Sequence, residues 1–317
     1  MIRERALEDV LRAWGLELGR VREDIPIAGS PDRCEFRTVV EDRDGNLFVL
    51  ESVRRVDIER KRGMARALAF LAGRGLSAVR PYMAAGDDEY VPIRNGAFWL
   101  LSHYIDGVPL ARPEYAFEGW RGPALAEFLT DLRDRARDAR LYDSAPGFSI
   151  VSFIRDLART VETREPLLYL RVRPALVHLE QDLAAAHDRL PVRFCHGDYH
   201  PLNVIWSERA VRAVIDWEFM GIRPELFDAA MMVGCLGMED PRSLTGDLVL
   251  SFIERLKARS AGAPDSWAHF FDLVLALRFA WLADWLKRSD AGMIELEAVY
   301  IALLLDNRGT LVRAWEV

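Results

Sequence analysis

The chain has 317 residues, half of them hydrophobic, a formal charge of −7 and three cysteines. Such a composition describes a globular protein with room for one large domain or two lobes, each able to bury a core. It excludes the overall basic footprint on which nucleic-acid binding depends. Cys34, Cys195 and Cys235 form no CxxC pair, which argues for reduced thiols. The charged, amphipathic N-terminus holds no apolar run long enough for a signal peptide or a membrane span. The expectation is a cytoplasmic protein with no nucleic-acid or membrane partner.

Leu7, Val10, Leu11 and Trp14 recur at helical spacing, so a short amphipathic helix is predicted over 3–15, ending at Gly15. Three strands follow, over 21–28, 34–41 and 46–53. They are joined by Gly29-Ser30-Pro31-Asp32-Arg33 and by a turn at Asp44-Gly45-Asn46. A helix over 57–73 carries Lys61, Arg62 and Arg66. Two more strands are read over 76–82 and 97–104, with Asp87-Asp88 in the bend between them. From Asp106 on the periodicity is helical, over 117–141, 148–161 and 167–189, with Pro166 near the start of the third and Pro191 ending the run. Helices over 243–260, 266–289 and 294–315 close the chain.

Between the two helical runs lies FCHGDYHPLNVIWSERAVRAVIDWEF, residues 194–219. Apolar, β-branched segments at 203–206 and 211–215 flank Ser207-Glu208-Arg209-Ala210, the pattern of a β-hairpin. Such a hairpin brings Asn203 and Asp216 onto neighbouring strands, close enough to share a divalent cation. A carboxylate that orients a hydroxyl, beside hard oxygen ligands for Mg²⁺, is what phosphoryl transfer demands. Asp198 suits the first task; Asn203 and Asp216 suit the second. A metal site built from His196, Asp198 and His200 is the other reading of the same residues, but it leaves Asn203 and Asp216 without a role.

His196, Gly197, Asp198, His200, Asn203, Ile215, Asp216 and Trp217 together resemble the motif of the kinase-like phosphotransferases, the superfamily of aminoglycoside phosphotransferases, choline kinases and homoserine kinases. The resemblance implies an α+β, bilobal, protein-kinase-like fold. Residues 1–105 would form a nucleotide lobe of antiparallel sheet plus helix, and 106–317 a mostly helical lobe for catalysis and acceptor binding. It implies ATP as co-substrate, Mg²⁺ as cofactor and a small-molecule hydroxyl as acceptor. Gly29 and Ser30 would then lie over the phosphates, the His103 carbonyl and Ile105 amide would read the adenine edge, and Ile215 would lie beneath it. Asp228 would tie down the catalytic loop from a helix start, with His196 supporting. Glu218 would extend the metal or acceptor site, and Trp281, Asp284 and Trp285 on a C-terminal helix would meet the acceptor, an aromatic and acidic set suited to a cation.

The chain departs from the pattern at the third strand, where Glu51 stands in place of the expected lysine. A charge-swapped pair of Glu51 with Lys61 or Arg62, in which the helix supplies the cation for the phosphates, is one reading. A solvent-facing Glu51 is the other. The alternatives for the whole protein are a nucleotide-binding pseudokinase, or a kinase-like enzyme with a shifted nucleotide that transfers AMP or modifies a protein.

Overall fold

The structure is a computed structural model that describes residues 4–25, 27, 35–87, 89–137, 141 and 147–317. Its chain divides into two compact units: Met1–Gly107 with Arg212–Ile215, and Val108–Val211 with Asp216–Val317.

The first unit opens with α1 (Glu4–Leu11), continued by a 3₁₀ turn to Trp14 and closed by Gly15 in the left-handed region (φ 70°). Strands β1 (Leu18–Val21), β2 (Arg37–Asp42) and β3 (Leu47–Val53) then form. The first strand is shifted from the predicted 21–28. Asp24 folds back onto the Arg22 guanidinium at 2.7–2.8 Å, and the Ile25 amide bonds to the Arg22 carbonyl, so the chain turns where the apolar pattern suggested extension. The predicted turn at Asp44-Gly45-Asn46 forms because buried Asp42 accepts the Asp44 and Asn46 amides, with Gly45 at φ 84°. Gly29 and Ser30 lie outside the described residues.

After α2 (Ile58–Gly73), residues 76–82 do not make the predicted strand. They run as a loop with a single bridge, Tyr82 to Ser102, and the Ala78 carbonyl accepts the Val214 amide. The sheet edge is instead β4 (Ile93–Arg94), paired with β5 (Ala97–His103) through Asn95 and Gly96, both at positive φ. An Asn-Gly hairpin signal stood at that point in the sequence. The five strands are antiparallel in the order β1-β2-β3-β5-β4. Alternation of side chains gives the sheet two apolar faces. Phe48, Leu50, Trp99 and Leu101 meet Leu7, Val10 and Leu11 of α1 on one; Val53 and Leu100 meet Ile58 and Ala65 of α2 on the other.

The second unit is mostly helical. Its first helices are α3 (Arg121–Arg135), α4 (Ile150–Arg164, capped by the Ser149 side chain), α5 (Pro166–Asp182) and α6 (Ala184–His187). Strand β6 (Val192–Cys195) follows. Strands β7 (Val204–Trp206) and β8 (Val211–Val214) then make the predicted hairpin, its turn closed by Ser207 and Ala210. Strand β9 (Gly221–Pro224), absent from the sequence reading, pairs with β6. Helices α7 (Phe227–Glu239), α8 (Asp247–Ala258), α9 (Pro264–Ala268), α10 (Phe270–Arg288), α11 (Ala291–Asp306) and α12 (Arg308–Trp315) complete it. The predicted runs 167–189, 266–289 and 294–315 each break into two helices. No helix among the described residues is long and apolar enough to cross a membrane.

Helix α10 is buried along most of its length. Between it and α11 the Arg278 guanidinium forks onto the Glu297 carboxylate at 2.6 and 2.7 Å, both side chains out of contact with water. Helices α3 and α8 approach so closely at Gly122 that an added Cβ would lie 2.4 Å from the Leu248 carbonyl oxygen and 2.7 Å from the Phe252 nitrogen. Both are backbone atoms that cannot step aside without moving a helix. Gly122→Ala is therefore expected to destabilise the protein by about 3 kcal/mol, measured by urea unfolding, despite the better helix propensity of alanine.

Candidate functional site

Residues 194–211 and 216–228 of the second unit form the site from the backbone outward. Strand β6 ends at Cys195, and Gly197 takes φ 83° so that the chain reverses. A Cβ at Gly197 would sit 2.0 Å from the Phe219 carbonyl oxygen, so only glycine fits both the backbone angle and the space. The reversed loop is tied from below. Asp228, at the start of α7, accepts the His196 amide on Oδ2 at 2.7 Å and the Gly197 amide on Oδ1 at 2.8 Å. Burial pushes its carboxyl up to about 6, against the opposing pull of those two amides.

His196 is itself fully buried. Its Nδ1 accepts the Asp198 amide at 3.2 Å, and its ring lies 4.5 Å from the Trp217 ring and 6.2 Å from Tyr199. Tyr199 stacks on Phe128 of α3 and donates its hydroxyl to the Leu125 carbonyl. An aromatic bed thus fixes the loop on which Asp198 stands. With His196 held in that bed, the three-residue metal site of His196, Asp198 and His200 is not formed: no group of three His, Cys, Asp or Glu side chains among the described residues is placed to hold a metal.

Asn203 ends a 3₁₀ turn over Pro201–Asn203, a position just ahead of β7 rather than within the strand. Its Nδ2 donates to the Asp198 carbonyl at 2.9 Å and to Asp198 Oδ2 at 3.2 Å. Both hydrogen bonds are made by Nδ2, which fixes the side-chain amide against the Asp198 loop. His200 Nε2 lies 3.7 Å from the same Oδ2. Asp216 follows β8 in the left-handed region at φ 66° and leads into the 3₁₀ turn Trp217–Phe219, which carries Glu218. The contacts of Trp217 with His196 and of Phe219 with Gly197 place that turn against the Asp198 loop. Arg223 of β9 holds the turn's end, donating to the Phe219 carbonyl at 3.1 Å. A carboxylate and an amide oxygen are hard donors of the kind Mg²⁺ takes, so Asn203 and Asp216 fit that ion.

On the other side of Asp198, the Trp281 ring of α10 meets the His200 ring edge-on at 5.6 Å, and Trp285 stacks on Trp281 at 5.9 Å. The Asp284 carboxylate is taken by Arg288 at 3.0 Å.

The remaining candidates belong to the first unit. Glu51 on β3 is buried rather than solvent-facing, and it forms an ion pair with Arg37 on β2, its partner in the strand register. Arg62 pairs with Glu59 and Glu89. Lys61 is buried on the stripe of α2 that also carries Ile58 and Ala65. The His103 ring packs on Phe48 at the end of β5, the Ile105 amide has no hydrogen-bond partner among the described residues, and half-buried Ile215 follows β8.

No curated protein matches the chain by sequence. Solved structures do match its fold. The GDP complex of aminoglycoside 2'-phosphotransferase-IIIa superposes with a TM-score of 0.69 at 16% identity, covering 97% of this chain and 100% of that one. An amicoumacin kinase in complex with AMP-PNP, Ca²⁺ and Ami gives 0.67 at 15%, covering 97% and 94%. Choline kinase LicA from Streptococcus pneumoniae gives 0.63 at 15%, covering 94% and 98%. At such identities the likeness is one of fold: an antiparallel sheet with its helix, then a mostly helical region, in the kinase-like manner the motif implied. The phosphotransferase enzyme family model matches residues 32–270, most of the chain, including the whole of the segment 194–228. The protein is therefore a member of the phosphotransferase enzyme family.

Proposed function

We propose that this protein is an ATP-dependent kinase that moves the γ-phosphoryl group onto a hydroxyl of a small molecule. The observation that carries the reading is the double hydrogen bond from Asn203 to Asp198, which couples the acid that meets the acceptor to a residue that would hold the metal. Asp198 orients the acceptor hydroxyl and takes its proton as the bond to phosphorus forms. Mg²⁺, when bound by Asn203 and Asp216, would neutralise charge on the phosphates; the AMP-PNP and Ca²⁺ of the amicoumacin kinase complex support a nucleoside triphosphate and a divalent cation. His196 and Asp228 touch no reacting atom in this scheme; they hold the loop.

For the nucleotide we assign the His103 carbonyl and the Ile105 amide to the adenine edge and Ile215 to its face. Gly29 and Ser30 would lie over the phosphates. Lys61 is the cation we assign to the phosphates, because it is buried at the sheet-facing side of α2 while Glu51, in the usual lysine position, is neutralised by Arg37. Lys61→Met is expected to weaken ATP binding at least about tenfold by calorimetry.

ADP should appear when the protein is incubated with ATP, Mg²⁺ and an acceptor alcohol. Pyrophosphate in its place would mean nucleotidyl transfer, and neither product with any acceptor would favour a binding protein. Asp198→Asn should lower turnover by about a thousandfold or more while ATP affinity stays within a few-fold, because its task lies with the acceptor; a parallel loss of ATP affinity would refute that assignment.

Asp228 predicts a pH dependence. Its carboxyl in the folded protein, at about 6, lies above the usual 3.8. The stability it contributes is therefore complete below about pH 4 and declines as pH rises to 6. Denaturant unfolding of wild type and Asp228→Asn, compared between pH 4.5 and 7, should show the wild type losing about 2 kcal/mol relative to the variant.

A further inference from the structure

Helix α10 presents one stripe toward the acceptor side of Asp198: Arg278, Trp281, Trp285 and Arg288, spaced by three or four residues. The Arg278 Cζ lies 5.7 Å over the Trp281 ring and the Arg288 Cζ 5.6 Å over the Trp285 ring, while the two indoles stack on each other. Arg278 sits one turn before Trp281 and Trp285 one turn after it, so the two flank the indole from opposite ends of the helix axis. The faces an ammonium group would need are occupied by the chain's own guanidinium groups. Charge is closed off as well. Asp284 and Glu297, the carboxylates of this wall, are bound to Arg288 and Arg278, so two positive charges meet two negative ones.

What remains for a ligand is uncharged. The Trp281 edge touches His200, which stands 3.7 Å from the Asp198 carboxylate, and its indole N–H already donates to the Met231 sulfur. The Trp285 indole nitrogen is buried without a partner. We infer that this wall selects an uncharged acceptor with an apolar or aromatic body and discriminates against cationic amino alcohols and amino sugars. This rests on the kinase reading above only in taking the partner of Asp198 to be an alcohol.

Two alcohols of the same shape test it: para-tert-butylphenyl ethanol and para-trimethylammoniophenyl ethanol, which differ by one charge. Calorimetric titration of the wild-type protein should show the uncharged alcohol binding at least about tenfold more tightly. Arg288→Gln, an exposed substitution that releases Asp284 and one face of Trp285, should tighten the cationic alcohol about tenfold and leave the uncharged one within twofold. Equal or tighter binding of the cation by wild type, an unchanged cation affinity in the variant, or binding of neither would overturn the inference. ADP release in the same mixtures reports on the kinase reading separately. Selective binding without Asp198-dependent ADP would sink that reading and sustain this one.

Discussion

The site depends on a buried carboxylate. Asp228 has no cationic partner at hydrogen-bond distance among its described contacts; it is held by two main-chain amides, those of His196 and Gly197. Placing such an acid in the interior is costly, which is why its carboxyl is pushed up to about 6. In return the two successive N–H groups of a reversed loop are satisfied, and the following residue, Asp198, is aimed by main-chain geometry. An alanine there would leave two buried donors without acceptors, a larger loss than the removal of any surface ion pair.

Around that tie the site is built in shells of decreasing rigidity. Aromatic packing of His196, Trp217, Tyr199 and Phe128 fixes the loop in position. The Asn203 amide then fixes the carboxylate of Asp198 in rotation. Beyond these lie His200 and the α10 tryptophans, in contact with one another through their rings. Neutrality recurs within each unit: Glu51 in the first, and Asp284 and Glu297 in the second, are each matched by an arginine of the same unit. This sets the protein apart from a surface that gathers charged ligands by long-range attraction.

How much of this could be read from the sequence differed with the range of the interaction. The hairpin at 204–214 and the turn at Asp44-Gly45-Asn46 are local, encoded by β-branched runs and by an aspartate four residues from its asparagine. The Asp228 tie was reached only through the family motif, since no local pattern links residues 196 and 228. The partner of Glu51 escapes a local reading for a related reason: Arg37 lies fourteen residues away and meets it only through the β2–β3 register. Strand β9 was hidden because its four residues pair with a distant segment, whereas the edge strand β4 was overlooked although Asn95-Gly96 announced it. The predicted strand over 76–82 failed because apolar residues there are buried as a loop, its Ala78 carbonyl bonded to Val214 instead of to a neighbouring strand.

The abutment of Gly197 on the Phe219 carbonyl has a kinematic implication. With no gap for even a methyl group, the segment bearing Asp198 and the segment bearing Asp216 bear on each other like two faces of a closed joint. Neither can slide toward the other, and Arg223 grips one of them from the far side. Whatever motion the site undergoes must then carry both segments together, so the spacing between Asp198 and Asp216 is a constant of the scaffold.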